Sequence, residues 1–158
     1  MSPGRKLPLF LGPHDLEAIH QTVVEKFGVS PEVHNEDAIH QISSEVHYRA
    51  FREFSREASL DLFDAAGMYA ASVNESKPFL EGNEQTAKLA ALTFLKINGV
   101  DTSRLPEEKT AQMFEALAAG QSDEIKLAAF MRVRCNEPQL SREADAARTQ
   151  ELDLDLER

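Results

Sequence analysis

One stretch restricts the possible folds more than any other. Lys77-Pro78-Phe79-Leu80-Glu81-Gly82-Asn83-Glu84-Gln85-Thr86-Ala87 runs without a break into Lys88-Leu89-Ala90-Ala91-Leu92-Thr93-Phe94-Leu95-Lys96-Ile97-Asn98-Gly99. The first part is a Gly-Asn turn behind a Lys-Pro-Phe corner and an acid. The second reads as a buried helix closed by a glycine. A loop that delivers the chain to a helix start leaves backbone N–H groups unpaired there, which makes it an anion site. Many loops enter helices this way, so the turn alone names no chemistry.

The remaining segments supply helices to surround that one. Pro3, Pro8 and Gly12 break residues 1–12 into an irregular arm. Pro13 suits the first turn of a helix, because its missing N–H would be unpaired there anyway. Leu16, Ile19, His20, Val23, Val24 and Phe27 follow at helical spacing, and Gly28 ends the run. Residues 29–35 read as a loop. Asn35 is placed to cap a helix over about 36–49, with Ala38, Ile39, Ile42 and Val46 inward. Residues 48–56 mix aromatic and charged side chains, and read either as the end of that helix or as a short extended flap.

Ser59 to Val73 is a strong helix whose small residues, Ala65-Ala66-Gly67 and Ala70-Ala71, allow close approach by a neighbour. After the central helix, a connector at 101–106 leads to a helix over about 107–119, stopped by Gly120. A last helix opens at Ser122-Asp123-Glu124. Apolar content falls away after Asn136, and Leu152, Leu154 and Leu156 in the tail are suited to covering a partner's surface. The expected organisation is an arm over 1–12, one helical domain over 13–135 and a polar acidic tail over 136–158. The fold class is all-α.

Composition narrows the function by exclusion. Asp and Glu number 27 against 17 Lys and Arg, a formal net charge of −10. Nucleic-acid binding asks for a basic face, so nucleic acid is not the expected partner. No apolar run reaches the roughly 20 residues of a membrane span. The single cysteine, Cys135, allows no internal disulfide and fits a reducing cytoplasm. The five histidines all precede the loop, and no two stand four residues apart as helical metal ligands would.

The loop and its helix resemble the signature of the Fic/Doc family, and most closely its death-on-curing (Doc) branch. The pattern there is His-x-Phe-x-acid-Gly/Ala-Asn-Lys-Arg-Thr-Ala, followed by a Leu/Phe-rich helix ending in Asn-Gly. Phe79, Glu81, Gly82, Asn83, Thr86, Ala87 and the helix through Asn98-Gly99 match it. Leu16 to His20, and Asp61-Leu62-Phe63 with Tyr69, are similar to the corresponding Doc helices. The resemblance implies a compact helical domain in which a flap holds the target; Arg49, Arg52 and Arg56 would fall in it.

The resemblance also implies roles. The loop's His takes a proton from a protein hydroxyl, the acid binds Mg²⁺, and the Asn and basic residues hold nucleotide phosphates. An active member would be a phosphotransferase or nucleotidyltransferase acting on a protein, with Mg²⁺ and a nucleotide as cofactors; an inactive one would need neither. Carried over, Glu81 is the metal ligand, Gly82, Asn83, Gln85 and Lys88 are the phosphate or anion contacts, and Lys77 stands in the His position. A protein partner of the antitoxin or elongation-factor kind is implied as well. No Ser/Thr-x-x-x-Glu-Gly/Asn inhibitory helix of the self-restraining Fic type occurs.

Three of these positions depart from the pattern: Lys77 replaces His, Glu84 replaces Lys and Gln85 replaces Arg. A free lysine, with a pKa of about 10.4, is protonated at neutral pH. Making it a base requires deep burial or a cationic neighbour. Glu81 and Glu84 push the other way, so an acid or phosphate partner suits Lys77 better. Gln85 gives up a charge-assisted contact worth about 1.5–3 kcal/mol, and Glu84 adds repulsion. Plainer readings stand beside the functional ones. Glu81 is also an acid favourably placed near a helix N-terminus, Gly82-Asn83 is ordinary turn chemistry, and Lys88 is positioned to pair with Glu84 at i,i+4. The expectation is a Doc-like toxin or effector domain without the standard transfer chemistry, acting through a partner or an anion. The alternative is an active Mg²⁺-dependent transferase with altered loop chemistry.

Overall fold

The computed structural model describes residues 8–55 and 61–136, with the side chains of 51 and 53–55 left aside. The expectations for the acidic tail beyond 136, for Arg56 and for most of the arm lie outside those residues. Six α-helices follow in order: α1 (Pro13–Phe27), α2 (Glu36–Ser55), α3 (Leu62–Ser76), α4 (Asn83–Ile97), α5 (Glu107–Ala118) and α6 (residues 124–136). A short 3₁₀ turn, Thr102–Arg104, precedes α5. Among the described residues there is no strand, only one isolated bridge between Val33 and Phe79. The all-α expectation holds.

The pair α3–α4 forms the middle of the molecule, with α1, α2, α5 and α6 around it. Ala65, Ala66 and Ala70 on α3, and Ala87, Ala90 and Ala91 on α4, are fully buried and keep the two helices close. Gly67 serves the other side of α3. A Cβ there would lie 2.7 Å from the carbonyl oxygen of Glu124, so α6 begins directly against the α3 backbone. Arg132 of α6 then reaches Asp61 and Asp64, which themselves form the reciprocal cap of α3. The N-terminus of α3 is thus fixed by its own cap and by a guanidinium from the last described helix.

Of the two readings of residues 48–55, the structure has the helix end and not the flap, since α2 runs on through Ser55. Val46 and Ala50 continue its buried stripe at i,i+4 spacing, while Tyr48 and Arg52 are its outward face. The segment that pairs with the signature loop is 32–35, part of the stretch 29–35 read from sequence as a loop. Its pairing is backbone to backbone: His34 and Asn35 N–H donate to the Pro78 carbonyl, and Leu80 N–H donates to Glu32.

The end of the arm is also fixed. Leu11 is buried in the core. Its N–H donates to the Tyr69 hydroxyl at 2.8 Å, and its carbonyl accepts from Ser43 Oγ at 2.9 Å. Two residues earlier, Leu9 exchanges both backbone bonds with the Asn98 amide. Asn98 therefore ties the far end of α4 to the arm, while Asn83 works at its near end. Burial pushes the Tyr69 phenol well above its ordinary pKa, so it stays a neutral hydrogen-bonding group. Among the described residues no helix is long and apolar enough to cross a membrane.

Candidate functional site

The loop between α3 and α4 begins at Lys77, which ends α3 in the left-handed conformation (φ 45°, ψ 60°) with its N–H on the Val73 carbonyl. It is the one non-glycine residue with positive φ among those described. A lysine gains nothing there that a glycine would not supply at less conformational cost. Its side chain is exposed and forms no ion pair among the described residues.

From Pro78 onward the chain is held on every side. Pro78 and Phe79 are buried, and the Phe79 ring stacks on the imidazole of His20 with centroids 3.8 Å apart and planes 6° from parallel. Asn83 closes the turn on itself. Its Oδ1 accepts from the Phe79 N–H at 3.1 Å, and its Nδ2 donates to the Phe79 carbonyl at 2.7 Å. The turn uses Oδ1 and one Nδ2 hydrogen; the second Nδ2 hydrogen has no acceptor among the described residues. Gly82, the N-cap of α4, is left-handed (φ 83°), and a Cβ there would meet Val29 and Val23 methyls at 3.0 and 3.1 Å. Both the torsion and the space demand glycine.

Glu81 points outward and is used twice. Its carbonyl accepts from His20 Nε2 at 2.9 Å, and its Oε2 accepts from the Ser30 N–H at 2.8 Å. The other carboxylate oxygen, Oε1, has no partner among the described residues. No group of three or more His, Cys, Asp or Glu is placed to hold a metal there. A carboxylate with one free oxygen still suits Mg²⁺, which takes one or two protein carboxylates and fills its shell with phosphate oxygens and water. Glu81 therefore fits the implied metal only together with a phosphate ligand.

The first helical bond of α4 runs from Thr86 N–H to the Gly82 carbonyl. The N–H groups of Gly82, Asn83, Glu84 and Gln85 have no acceptor among the described residues, as expected of a helix start. Beneath them the Thr86 hydroxyl is fully buried and likewise unpartnered. The site is thus a row of donors above a rigid turn, with Glu81 on one side.

The three departing positions lie at its rim. Glu84 is exposed and Gln85 half-buried. The expected Glu84–Lys88 pair is not formed among the described residues. Instead Lys88, Glu84 and Gln85 border a cavity of 450 Å³ between α1, α4 and α5, with Phe27, Leu89 and Phe114 among its apolar walls. Lys88 also borders a second, more open cavity along α4 toward Ser103. Of the expected site residues, Gln85 and Lys88 line the first of these cavities; Lys77, Glu81, Gly82 and Asn83 do not.

Sequence reasoning left two participants out of the site. His20, on the buried stripe of α1, bonds to the backbone of the loop itself. His34 sits one backbone pairing from Pro78, next to the Lys77 corner. Only the fold brings these histidines, 43 and 57 positions before Lys77 in sequence, to the loop. Cys135 packs in α6, and burial raises its thiol pKa, so it is not an activated nucleophile.

Comparison with known proteins adds to this geometry. The profile described as the Fic/DOC family matches residues 10–95, which span α1 to the end of the core part of α4. A relative named protein kinase doc, from Escherichia phage P1, is 29% identical over 98 residues, covering 61% of this chain and 74% of the relative. The matched region contains the loop, both helices that flank it and the extended segment that braces it.

Proposed function

The chain belongs to the Fic/DOC family, and from that premise we propose that it keeps the family's anion-cradling frame while lacking its standard transfer of phosphate or nucleotide to protein hydroxyls. It acts by binding a protein partner or an anion, in the toxin–antitoxin setting that the family resemblance implies. One observation carries the reading: the corner where the resemblance places the family's His holds an exposed lysine. Exposure denies that lysine the burial that would favour a base. Glu84 and Gln85 at the rim then weaken the hold on a triphosphate, while Gly82 to Gln85 still present their N–H groups.

The test is a transfer assay on the purified chain with labelled ATP and candidate protein targets, against a Glu81→Ala control. Background-level transfer in both is expected. Transfer well above the control overturns the reading. The informative complement is the combined variant Lys77→His, Glu84→Lys and Gln85→Arg, expressed in cells. Toxicity or target labelling gained only with all three supports an intact frame with disabled chemistry.

A second reading is an active transferase with altered loop chemistry. The free Glu81 oxygen and the unpaired Lys88 favour it. Bound Mg²⁺ would supply neutralisation of phosphate charge, held by Glu81, with Lys77 and Lys88 as clamps. This reading requires Mg²⁺-dependent nucleotide binding that Lys77→Ala weakens. Flat titrations with ATP, GTP, UTP and CDP-linked donors count against it.

A further inference from the structure

The loop contains a glycine at the point where its direction matters most. The peptide between Glu81 and Gly82 is planar and trans, so its C=O and N–H point to opposite sides. Gly82 has no Cβ and tolerates either sign of φ. That peptide can therefore stand in two orientations at little local cost, as it does in turns that differ by a peptide flip. In one, the Gly82 N–H faces outward beside those of Asn83, Glu84 and Gln85. In the other, a carbonyl oxygen takes that place and repels an anion.

The structure holds the first orientation through one side chain. The Glu81 carbonyl turns inward to His20 Nε2 at 2.9 Å. A carbonyl only accepts, so Nε2 carries the hydrogen, and it does so in neutral and protonated imidazole alike. His20 is itself held fast: it is 3% exposed and stacked on buried Phe79. It also lies 3.7 Å from where a Gly82 Cβ would be, directly under the turn. No other donor to the Glu81 carbonyl occurs among the described residues. The Ser30 N–H acts on the carboxylate instead, and Asn83 acts on Phe79.

We propose that His20 is a positioning residue that sets the orientation of the Glu81–Gly82 peptide and so makes the loop selective for anions. This rests on the anion-binding reading above, and it adds that selectivity is decided from α1 rather than within the loop. His20 touches no ligand. It works by removing the alternative in which the loop presents an oxygen.

Two substitutions separate this role from packing. His20→Phe keeps a ring against Phe79 and removes the donor; His20→Gln keeps an N–H donor and removes the ring. The probe is inorganic phosphate, followed by the backbone amide shift of Gly82, with circular dichroism confirming that each variant is folded. The expected result is phosphate affinity reduced about tenfold or more in His20→Phe, the loss of one charge-assisted contact, and largely kept in His20→Gln. Equal binding by wild type and His20→Phe overturns the proposal and leaves the anion reading intact. Loss in both variants alike also overturns it, because packing alone would then explain the effect. If the wild type binds no phosphate, the anion reading falls, and the crystal structure of His20→Phe decides the positioning role. A flipped 81–82 peptide supports it, and an unflipped one overturns it.

Discussion

The inside of the signature loop and its rim are a few ångströms apart and are built in opposite ways. Inside, Pro78, Phe79, the Glu81 carbonyl, Gly82 and the Asn83 amide are each held by a named partner on α1, on the 29–35 segment or within the turn. At the rim, Lys77, Glu84 and Lys88 enter no ion pair among the described residues. Substitution inside the loop is expected to disturb the fold, and substitution at the rim to leave it untouched. The frame can therefore persist while the rim residues vary. The departures fall at the positions that cost the structure least.

The contrast can be broken experimentally, starting where the effect is greatest. Phe79→Ala removes a ring buried to 2% exposure and its stack on His20, and should cost about 3–5 kcal/mol. The measurement is the urea midpoint with an unchanged slope. A cost below about 1 kcal/mol would mean the loop is not part of the core.

Gly82→Ala should cost about 1–3 kcal/mol, from the left-handed torsion and the contacts near 3 Å with Val29 and Val23. Thermal melts of the purified variant measure it. A neutral result would show that the turn relaxes freely, contrary to the account given for the frame.

A charged region that is part of the frame provides the next comparison. Burial alone would lift the Asp61 carboxyl, but Arg132 and the Asp64 N–H outweigh it and hold Asp61 below the usual aspartate range. A carboxyl depressed on folding gives stability that is fully present above about pH 4, the unfolded value, and is lost as pH falls through the folded value. Arg132→Ala should therefore flatten the acid limb of stability below about pH 4. Near neutrality it should cost about 1 kcal/mol, since the pair is partly exposed. Unfolding titrations at pH 3 and pH 7 compare the two.

The smallest effects belong to the rim. Lys77→Gly should stabilise by about 0.5–1 kcal/mol, since it relieves a positive φ at a helix end. Glu84→Ala and Gln85→Ala should stay within about 0.5 kcal/mol of wild type. A loss of stability with Lys77→Gly would reveal a contact that makes the lysine part of the frame after all.

Much of this was legible in the residues. Helical periodicity marked each helix, and the run of small residues on α3 announced a close neighbour, found at Gly67 and α6. The choice between helix and flap at 48–55 was not legible, because an aromatic and charged mixture reads the same on the outer face of a helix as on an extended strand. Val46 and Ala50 carry the stripe that decides it. The bracing of the loop by residues 32–35 left no trace in sequence, since it uses backbone groups that every residue has. Asn83 was legible as a site residue, but its type suits both an anion contact and a turn closure. Its distances to Phe79 show that it closes the turn.

By itself, then, the sequence determined the helical class, the central helix, the turn before it and a lysine, Lys77, where the family pattern has His. Those follow from local period, from glycine's torsions and from the charge a side chain carries in water. The tertiary structure decided which groups hold the loop and which remain open. It brought His20 beneath the Glu81 carbonyl, paired Pro78 with residues 34 and 35, and left Lys77 facing solvent. Such pairings depend on how distant segments pack, and no local pattern of residue types encodes them.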